Sequence, residues 1–455
     1  MSVASPSGPR EPERLAQLDR RAPRYTSFPT AAQFTPAVGE AEASRWLAGL
    51  GRADPVSLYV HLPFCKRLCW YCGCNTRAVN RREVISSYVA LLAREAEMVA
   101  ALTGPFLLSR LHLGGGTPNM LSPDDLRALF SAIGSRFELG AANEIAAELD
   151  PATLTPEWVE AAAELGLNRA SLGVQDLSPR VQAAVNRIEP FSVVEAAARR
   201  LRDAGVTSLN LDLMYGLPEQ GVAEVLSTLD HILTLRPERV ALFGYAHVPW
   251  MKPHQKLIDE TQLPGTEARL EQSAAAAERL IAAGYQAIGI DHFALPGDGL
   301  ATAAREGRLR RNFQGYTDDA AASLIGLGAS SISATAAGFW QNHTPELAWR
   351  TAVTEGRLPV ARGVALSEDD RVRAAVIERL MCDFAVDLDA FAGVHAEALL
   401  DGSANDLADL AREGLVEIEG RRLVATPEGR RFVRLIAAAF DPYLDQAQMR
   451  HARVS

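Results

Sequence analysis

The chain has 455 residues, 48% of them hydrophobic, and a formal net charge of −10. This length exceeds one ordinary domain and suits a barrel with an appendage. The acidic charge, without a long basic run, argues against nucleic acid as a partner, and no apolar run reaches the roughly 20 residues of a membrane span, so we expect no membrane partner.

The first residues predict a flexible start to the chain. Residues 1–20 are polar and proline-rich and contain no apolar signal core, so we expect a disordered tail in a cytoplasmic protein. Residues 21–56 are interpreted as an N-terminal arm that precedes the first strand.

Strand and helix patterns alternate over much of residues 57–355. The predicted strands are Ser57–Pro63, Leu108–Leu113, Glu144–Leu149, Arg169–Val174, Ser208–Met214 and Arg239–Tyr245. The predicted helices are Ile85–Ala101, Pro123–Ser135, Pro156–Leu165, Val193–Ala204 and Val222–Leu235. This order indicates βα units and an α/β fold with a parallel sheet, and six units would form a partial TIM-like barrel. Chemistry in such barrels lies at the C-terminal ends of the strands.

Residues 356–455 are expected to form a second, mainly helical domain. Ser367 followed by acidic residues is typical of a helix N-cap, Gly414–Thr426 suggests a hairpin, and Pro427–Phe440 suggests a closing helix. Because the chain is acidic, a lid or substrate cover is a better interpretation of this domain than a DNA-binding module.

Four of the five cysteines lie within ten residues. Cys65, Cys69 and Cys72 follow a C-x3-C-x2-C spacing, which suits thiolate binding of an iron–sulfur cluster with one iron left open. Cys74 is too close in sequence to reach the fourth iron with ease. Structural zinc would need a second ligand pair, and disulfides do not suit a reducing compartment. Cys382, in an apolar helical run, is interpreted as a core cysteine.

A second group of candidates follows the other predicted strands. Gly114-Gly115-Gly116-Thr117-Pro118 lets backbone amides approach a ligand, although a tight turn is the simpler alternative. It matches neither a dinucleotide fingerprint nor a phosphate loop. Carboxylates at strand ends can bind ribose hydroxyls, and an arginine can clamp a carboxylate. The pocket candidates at or near strand ends are Glu148, Gln175, Arg187 and Asp212.

The cysteine spacing and the glycine run together resemble the radical S-adenosylmethionine superfamily. The match narrows to the oxygen-independent coproporphyrinogen III oxidase family through six segments: Cys72–Asn75, Pro23–Thr30, Ser171–Asp176, Asn210–Pro218, Asp291–Ala294 and Arg311–Thr317. The resemblance runs from about residue 21 to near the C-terminus. It implies a partial (βα)6 barrel of the radical S-adenosylmethionine type, with the arm lying over the active site.

The resemblance also assigns roles to individual residues. Cys65, Cys69 and Cys72 would hold a 4Fe–4S cluster, and two molecules of S-adenosylmethionine would bind beside it. The cluster-bound molecule would contact Tyr59, Gly115, Glu148, Gln175, Arg187 and Asp212. The second site would be lined by Tyr71, Gly116, Thr117, Ala246 and Ile332, with Cys74, Met214 and Gln314 close by. Cys74, Gln314, Tyr25 and Arg24 are the candidate catalytic residues, and His61 would lie beside the cluster.

The implied reaction is oxidative decarboxylation of two propionates of coproporphyrinogen III to vinyl groups, driven by a 5′-deoxyadenosyl radical. Candidate cations for the substrate carboxylates are Arg24, Lys66, Arg310 and Arg311. The expected partners are an electron donor, such as a flavodoxin or ferredoxin, and an electron acceptor, and we expect a monomer. A related haem chaperone is the main alternative, and a ferredoxin-like electron carrier is a more distant one.

Overall fold

The structure is a computed structural model that describes residues 18, 20–51, 54–391 and 394–444. The predicted disordered tail lies outside the described residues, apart from Leu18 and Arg20. No helix in the described part of the chain combines the length and the apolar character that crossing a membrane requires.

Seven consecutive parallel strands form the centre of a 12-stranded sheet: Ser323–Leu327 and, beside it, six strands that overlap the predicted ones. The six are β1 (Val56–Leu62), β4 (Leu107–Gly115), β5 (Glu138–Leu149), β6 (Arg169–Gln175), β7 (Ser208–Tyr215) and β8 (Arg239–Gly244). Each pairs in parallel with the next, from β1–β4 through β7–β8. The predicted α/β partial barrel is therefore confirmed, because parallel neighbours joined by helices are what βα units produce.

The connecting helices follow the predicted positions closely. A short helix, α1 (Glu40–Ala48), precedes the sheet, and the connections between the parallel strands contain α2 (Arg82–Thr103), α3 (Pro123–Gly134), α4 (Pro156–Glu164), α5 (Pro179–Ala184), α6 (Phe191–Asp203) and α7 (Val222–Leu233). Their starts are encoded locally: the Ser122 hydroxyl accepts the Asp125 N–H at 3.1 Å, and the Thr155 hydroxyl accepts the Trp158 N–H at 3.2 Å. Their apolar faces pack on the sheet around Trp158 and Leu129, which are fully buried.

The sheet is wider than the sequence predicts. Beside β1 lie β13 (Ser323–Leu327), β14 (Ile332–Thr335), β15 (Gly338–Asn342) and β16 (Val360–Ala365), and beyond β8 lie β10 (His292–Ala294) and β9 (Gln286–Ile288). The strand β16 lies entirely beyond residue 355, which the sequence suggested as the end of the barrel domain. Further elements in this region are β2 (Phe64–Cys65), β3 (Arg77–Ala78), β11 (Arg310–Asn312), β12 (Gly315–Thr317), α8 (Thr266–Ala282), α9 (Gly299–Arg305) and α10 (Glu346–Thr354).

The C-terminal region is helical with a small sheet. It contains α11 (Glu368–Asp383), α12 (Val394–Arg412), α13 (Val433–Ala438), and the strands β17 (Ala385–Asp387), β18 (Val416–Glu419) and β19 (Arg422–Ala425). Ser367 caps α11 as predicted, accepting the Asp370 N–H at 3.1 Å. The predicted closing helix is interrupted, because a 3-10 turn occupies Gly429–Phe432. Gly429 packs so tightly on Leu415 that a Cβ there would lie 1.7 Å from the Leu415 carbonyl oxygen.

The N-terminal arm packs into this C-terminal region. Leu18, Ala22, Tyr25 and Phe28 are buried in the same apolar cluster as Phe432 and other residues of α11–α13. The arm and the C-terminal region therefore share one hydrophobic core, although they lie at opposite ends of the chain.

Candidate active site

The three predicted cluster ligands lie on one loop that follows β1 and β2. Cys65 ends β2, and a turn closes the loop, with the Cys72 N–H donating to the Cys69 carbonyl at 3.2 Å. A distant segment holds the loop from outside, since His254 Nε2–H donates to the Cys72 carbonyl at 2.7 Å. The Gln255 amide donates to the Tyr71 carbonyl at 3.0 Å. The backbone of the cysteine loop is thus fixed by side chains that come from beyond β8.

Each thiol has a polar neighbour. The Thr76 hydroxyl lies 3.1 Å from Cys65 Sγ, and Arg187 Nη1 donates to Cys69 Sγ at 3.6 Å. The hydrogen bond with Cys74 lowers the pKa of the Cys72 thiol to about 7, and the same bond raises the pKa of Cys74 well above its usual range. Since the thiolate is the metal-binding form, a lowered pKa at Cys72 favours ligation there.

The glycine run passes between β1 and β5 at van der Waals distance. A Cβ on Gly114 would lie 2.8 Å from Glu148 Oε1, and one on Gly116 would lie 2.7 Å from two backbone carbonyl oxygens. Gly115 has φ +103°, and a Cβ there would lie 2.4 Å from the His61 ring. The glycine run is therefore more than a tight turn. Its backbone packs so closely on neighbouring groups that only glycine fits.

Glu148 is the hub of a polar chain across three strands. Its Oε2 accepts the Gly115 N–H at 3.0 Å, and its Oε1 lies 3.1 Å from His112 Nε2. Burial raises the pKa of Glu148, but the bonds from His112 and Gly115 outweigh it, so the pKa lies below its ordinary value. Glu148 is accordingly an ionised acceptor that faces the cavity.

His61 and Tyr59 complete this polar chain on β1. His61 Nε2 lies 2.9 Å from the Asn75 carbonyl, which can only accept, so this nitrogen carries the proton. Its Nδ1 then accepts from the Tyr59 hydroxyl at 3.0 Å. Burial lowers the pKa of His61, which keeps the ring neutral in this position.

Arg187 is buried at the other side of the cavity among carboxylates. Its Nη2 lies 3.0 Å from Glu189 Oε2 and 3.5 Å from Asp150 Oδ1. Its Nε is buried without a hydrogen-bond partner among the described residues. Burial disfavours the charged form, yet the neighbouring Tyr71, Asp150 and Glu189 raise the pKa of Arg187 well above its usual value. Arg187 is therefore a fixed cation with spare donor capacity.

Asp212 and Gln175 occupy the ends of β7 and β6. The Asp212 carboxylate accepts from the Ser171 hydroxyl at 2.8 Å and from the Asn210 amide at 2.7 Å. Burial raises the pKa of Asp212. Gln175 has φ +67°, at the point where the register of β6 against β7 shifts. This left-handed residue ends the strand and directs it back over the cavity.

One cavity of about 170 Å³ unites most of the predicted residues. It is lined by Cys65, Cys69, Cys72, Cys74, Tyr71, Gly115, Gly116, Thr117, Glu148, Gln175, Arg187 and Asp212. Tyr59 does not line it but reaches it through His61 and the glycine loop.

The remaining predicted residues lie elsewhere. Gln314 lines a neighbouring cavity of about 300 Å³ inside the barrel, which shares Glu148, Ser171 and Asp212 with the first. Met214 packs against the apolar cluster that includes Tyr245, as does Tyr71. The others are dispersed: Arg24 and Ala246 line a third cavity of about 430 Å³, and Ile332 lies on β14.

Tyr25 is directed away from the cysteine loop. Its hydroxyl donates to Asp441 at 3.0 Å, and it lines a separate cavity of about 330 Å³ together with Arg310 and Arg311. Lys66 is exposed on the cysteine loop itself. Arg24 and Arg311 are nevertheless neighbours, since Arg311 Nη2 donates to the Arg24 carbonyl at 3.2 Å, whereas Lys66 lies on the cysteine loop.

The residues present fit an iron–sulfur cluster better than a single metal ion. Cys65, Cys69 and Cys72 are free thiols that line one cavity beside the spare donors of Arg187. Within the described ranges, no three His, Cys, Asp or Glu side chains converge as a site for one ion. In a cubane each thiolate binds a different iron, so three separated thiolates can hold the cluster with one iron left open, whereas zinc needs its ligands around one point.

Sequence reasoning missed several residues of the site. His112 lies inside β4 and supports Glu148, Asn210 supports Asp212, and Glu189 faces Arg187. The first two carried a signal, since each is a polar residue in an otherwise apolar strand. Glu189 carried none, because only the fold brings it to Arg187.

Comparisons with known proteins agree with this site. Residues 59–232 match the Radical SAM superfamily, and residues 366–432 match the HemN C-terminal domain. The oxygen-independent coproporphyrinogen III oxidase of Bradyrhizobium diazoefficiens is 44% identical, covering 96% of this chain and 97% of its own length. The protein of the same name from Pseudomonas aeruginosa is 39% identical over 94% of this chain and 95% of its own.

A solved structure extends the similarity to three dimensions. Coproporphyrinogen III oxidase from Escherichia coli, described as a radical SAM enzyme, has 36% identity and a TM-score of 0.88, covering 92% of this chain and 98% of its own. Because identity above 40% continues over nearly the full length of both chains, this chain belongs to the oxygen-independent coproporphyrinogen III oxidase family of radical S-adenosylmethionine oxidoreductases.

Proposed function

We propose that the chain carries out the oxygen-independent oxidative decarboxylation of two propionate side chains of coproporphyrinogen III, giving protoporphyrinogen IX. The observation that carries this proposal is the single cavity where three cysteines meet Glu148, Arg187 and Asp212, in a chain 44% identical to an oxidase of that name. The likeness to oxidases over nearly the full chain favours this function over the haem-chaperone alternative.

The cluster, when bound, supplies the electron that cleaves S-adenosylmethionine to a 5′-deoxyadenosyl radical. The chain's own residues orient the reactants. Cys65, Cys69 and Cys72 hold the cluster, while the ionised Glu148 and the carboxyl oxygens of Asp212 accept hydrogen bonds from an amine or ribose hydroxyls. Exclusion of water from this cavity by the bound reactants would protect a reactive radical.

A second S-adenosylmethionine is part of the proposal. Tyr71 and Met214 pack in one apolar cluster next to the cysteine loop, and Gly116 and Thr117 lie on the cavity wall nearby. Equilibrium dialysis of the anaerobic holoenzyme with labelled S-adenosylmethionine tests the stoichiometry: two molecules per chain are expected. The electron donor and acceptor, the monomeric state and the cytoplasmic location remain predictions.

The decisive test is an anaerobic turnover assay with reconstituted enzyme, S-adenosylmethionine, dithionite and coproporphyrinogen III. We expect protoporphyrinogen IX and 5′-deoxyadenosine together. Formation of 5′-deoxyadenosine without the porphyrin product would contradict the proposed substrate and leave the radical chemistry intact.

Cys65→Ala is predicted to abolish both products, because two remaining thiolates cannot hold the cluster. Iron and sulfide content should fall well below that of the wild type. Cys382→Ala is the matched control, since Cys382 is a buried cysteine in α11 and packs with Leu309 and Tyr316. Cys382→Ala should keep its iron content, and loss of iron in both variants would point to misfolding instead.

A further inference from the structure

All three lysines of the chain lie around the cysteine loop. Lys66 stands between Cys65 and Cys69, and Lys252 and Lys256 are on the segment that holds the loop. Every other cationic side chain that is always charged is an arginine. Lysine is a flexible, strongly hydrated point charge, which suits transient contacts, whereas arginine suits fixed bidentate ones.

The segment 248–258 has an inner and an outer side. On the inner side, Lys252 Nζ donates to the Cys74 carbonyl at 2.9 Å, and His254 and Gln255 bond to the next carbonyls of the loop. On the outer side, the Lys256 side chain is exposed to solvent. The segment therefore braces the backbone of residues 71–74, while Lys66 of the same loop is exposed to solvent.

Large apolar side chains are exposed on this segment and beside the cysteine loop. Trp250, Met251 and Leu257 have 53%, 59% and 58% of their surface exposed. The side chain of Ile188 is 56% exposed. Ile188 lies beside the cysteine loop, because its carbonyl accepts a hydrogen bond from Arg67 of that loop at 3.3 Å. Apolar residues clustered within a polar rim mark an interaction surface. We call this group, with Lys66, Lys252 and Lys256, the cluster-loop face.

We propose that the cluster-loop face docks a small acidic one-electron carrier protein, which delivers electrons to the cluster. The inference rests on the proposed function, which requires a reduced cluster. In each delivery the carrier is oxidised by one electron and the cluster is reduced by one electron, and no bond forms between the two proteins.

Charge complementarity identifies the partner. The chain as a whole carries −10 and repels an acidic protein, but this face presents the exposed Lys66 and Lys256 beside Arg67, with the charge of Lys252 behind them. The acidic residues at its edge are Asp259, which accepts the Thr261 N–H at 3.0 Å, and Glu260, which pairs with His247 at 3.0 Å. A local positive patch on a negative protein steers an acidic carrier to this one place.

The test measures anaerobic reduction of the reconstituted holoenzyme by stopped flow, following the bleaching of cluster absorbance. The reductants are a reduced flavodoxin, a reduced ferredoxin and dithionite. Lys256→Glu and Met251→Glu should each lower the second-order rate constant with at least one carrier by about tenfold at low salt. Dithionite is too small to need docking, so its rate should stay within about twofold.

Two controls separate docking from general damage. Lys256→Arg keeps the charge and should behave as the wild type. Ile281→Glu alters a side chain 55% exposed near the end of α8, a helix that packs against α7 and β9, and should leave all rates unchanged. Added salt should slow the wild type with the carrier and affect Lys256→Glu much less.

The proposal is wrong if neither carrier distinguishes Lys256→Glu and Met251→Glu from the wild type. It is equally wrong if dithionite rates fall in parallel, or if Ile281→Glu shows the same loss. The readout needs no porphyrinogen, so charge-dependent reduction in a protein that makes no protoporphyrinogen would refute the proposed function and leave the docking face standing.

Discussion

At the residue scale, the glycine loop sets the sharpest constraint on the site. Gly115→Ala should lose S-adenosylmethionine binding, because the new Cβ would meet the His61 ring at 2.4 Å and displace the Gly115 N–H from Glu148. Isothermal titration of the anaerobic protein measures this, and affinity should fall at least tenfold, since a bond to a charged group is worth roughly 1.5–3 kcal/mol.

The chain offers a matched control for backbone strain. Gly205 has φ +94°, close to the +103° of Gly115, but a Cβ there would have no neighbour within 4 Å. Gly205→Ala therefore adds a similar strain, of order 1–3 kcal/mol, without the collision. If Gly205→Ala weakened S-adenosylmethionine binding as much as Gly115→Ala, strain and not the close approach would be responsible.

The residues of the site divide by how locally they are encoded. Cys65, Cys69, Cys72 and the glycine run could be predicted because their spacing alone limits what they can hold. The positions of Gln314 and Tyr25 away from the cysteine loop could not be predicted. They depend on which cavity each residue lines once the chain has folded. Sequence patterns describe faces of elements and not the packing between distant elements.

At the element scale, one buried carboxylate ties four elements together. Glu95 on α2 accepts from the Gly328 N–H at 2.8 Å and from Trp349 Nε1 at 2.9 Å, and from the Asn342 amide at 2.6 Å. Gly328 follows β13, Trp349 lies on α10 and Asn342 ends β15. Burial raises the pKa of Glu95 to about 7, despite these hydrogen bonds.

This raised pKa predicts a stability that falls as pH rises. Between the ordinary value of 4.5 and about 7, the unfolded chain releases the Glu95 proton while the folded chain keeps it, so unfolding becomes easier with increasing pH. The effect is on the order of 3 kcal/mol, at about 1.4 kcal/mol per pKa unit. Denaturant unfolding at pH 5 and pH 8 measures it in Glu95→Gln, which cannot titrate there.

The free energy of unfolding of Glu95→Gln, taken relative to that of the wild type, should therefore increase from pH 5 to pH 8. A constant cost of the substitution does not affect this change. Glu97→Gln is the control, since Glu97 is exposed on the same helix and pairs with Arg136. A difference between the wild type and Glu95→Gln that does not change with pH would show that Glu95 is already ionised at pH 5.

The elements missed by the sequence have a common cause. β9, β10 and β13–β16 are only 3 to 6 residues long and lack long helices between them. Short strands carry too few residues for a period-2 pattern to be distinguished from a loop. The six parallel strands were predictable because each is followed by a helix with its own N-terminal signals.

At the scale of the whole molecule, the arm and the C-terminal region fold as one unit beside the barrel. Tyr25 is buried in their common core and its hydroxyl reaches Asp441. Arg434 on α13 donates to the Ala22 carbonyl at 3.2 Å. Sequence separation of 416 residues hides the Tyr25–Asp441 contact from any local pattern. Tyr25 and Arg434 each border a cavity beside the active site, so opening the arm would expose those cavities.

Tyr25→Phe is predicted to loosen the arm without disturbing the barrel. The substitution keeps the buried ring and removes one hydrogen bond to a carboxylate, worth roughly 1.5–3 kcal/mol. Local opening should become at least tenfold more frequent. Hydrogen exchange followed by mass spectrometry should show faster exchange in peptides that span residues 20–34, and unchanged exchange in β4 and β5.

Tyr443→Phe is the matched control: it loses the bond to Asp370 at 2.8 Å but keeps its ring contact with Phe28 at 5.9 Å. Equal exchange of the arm in both variants would mean that apolar packing of Phe28 and Tyr25, and not the hydrogen bond to Asp441, keeps the arm closed over the C-terminal core.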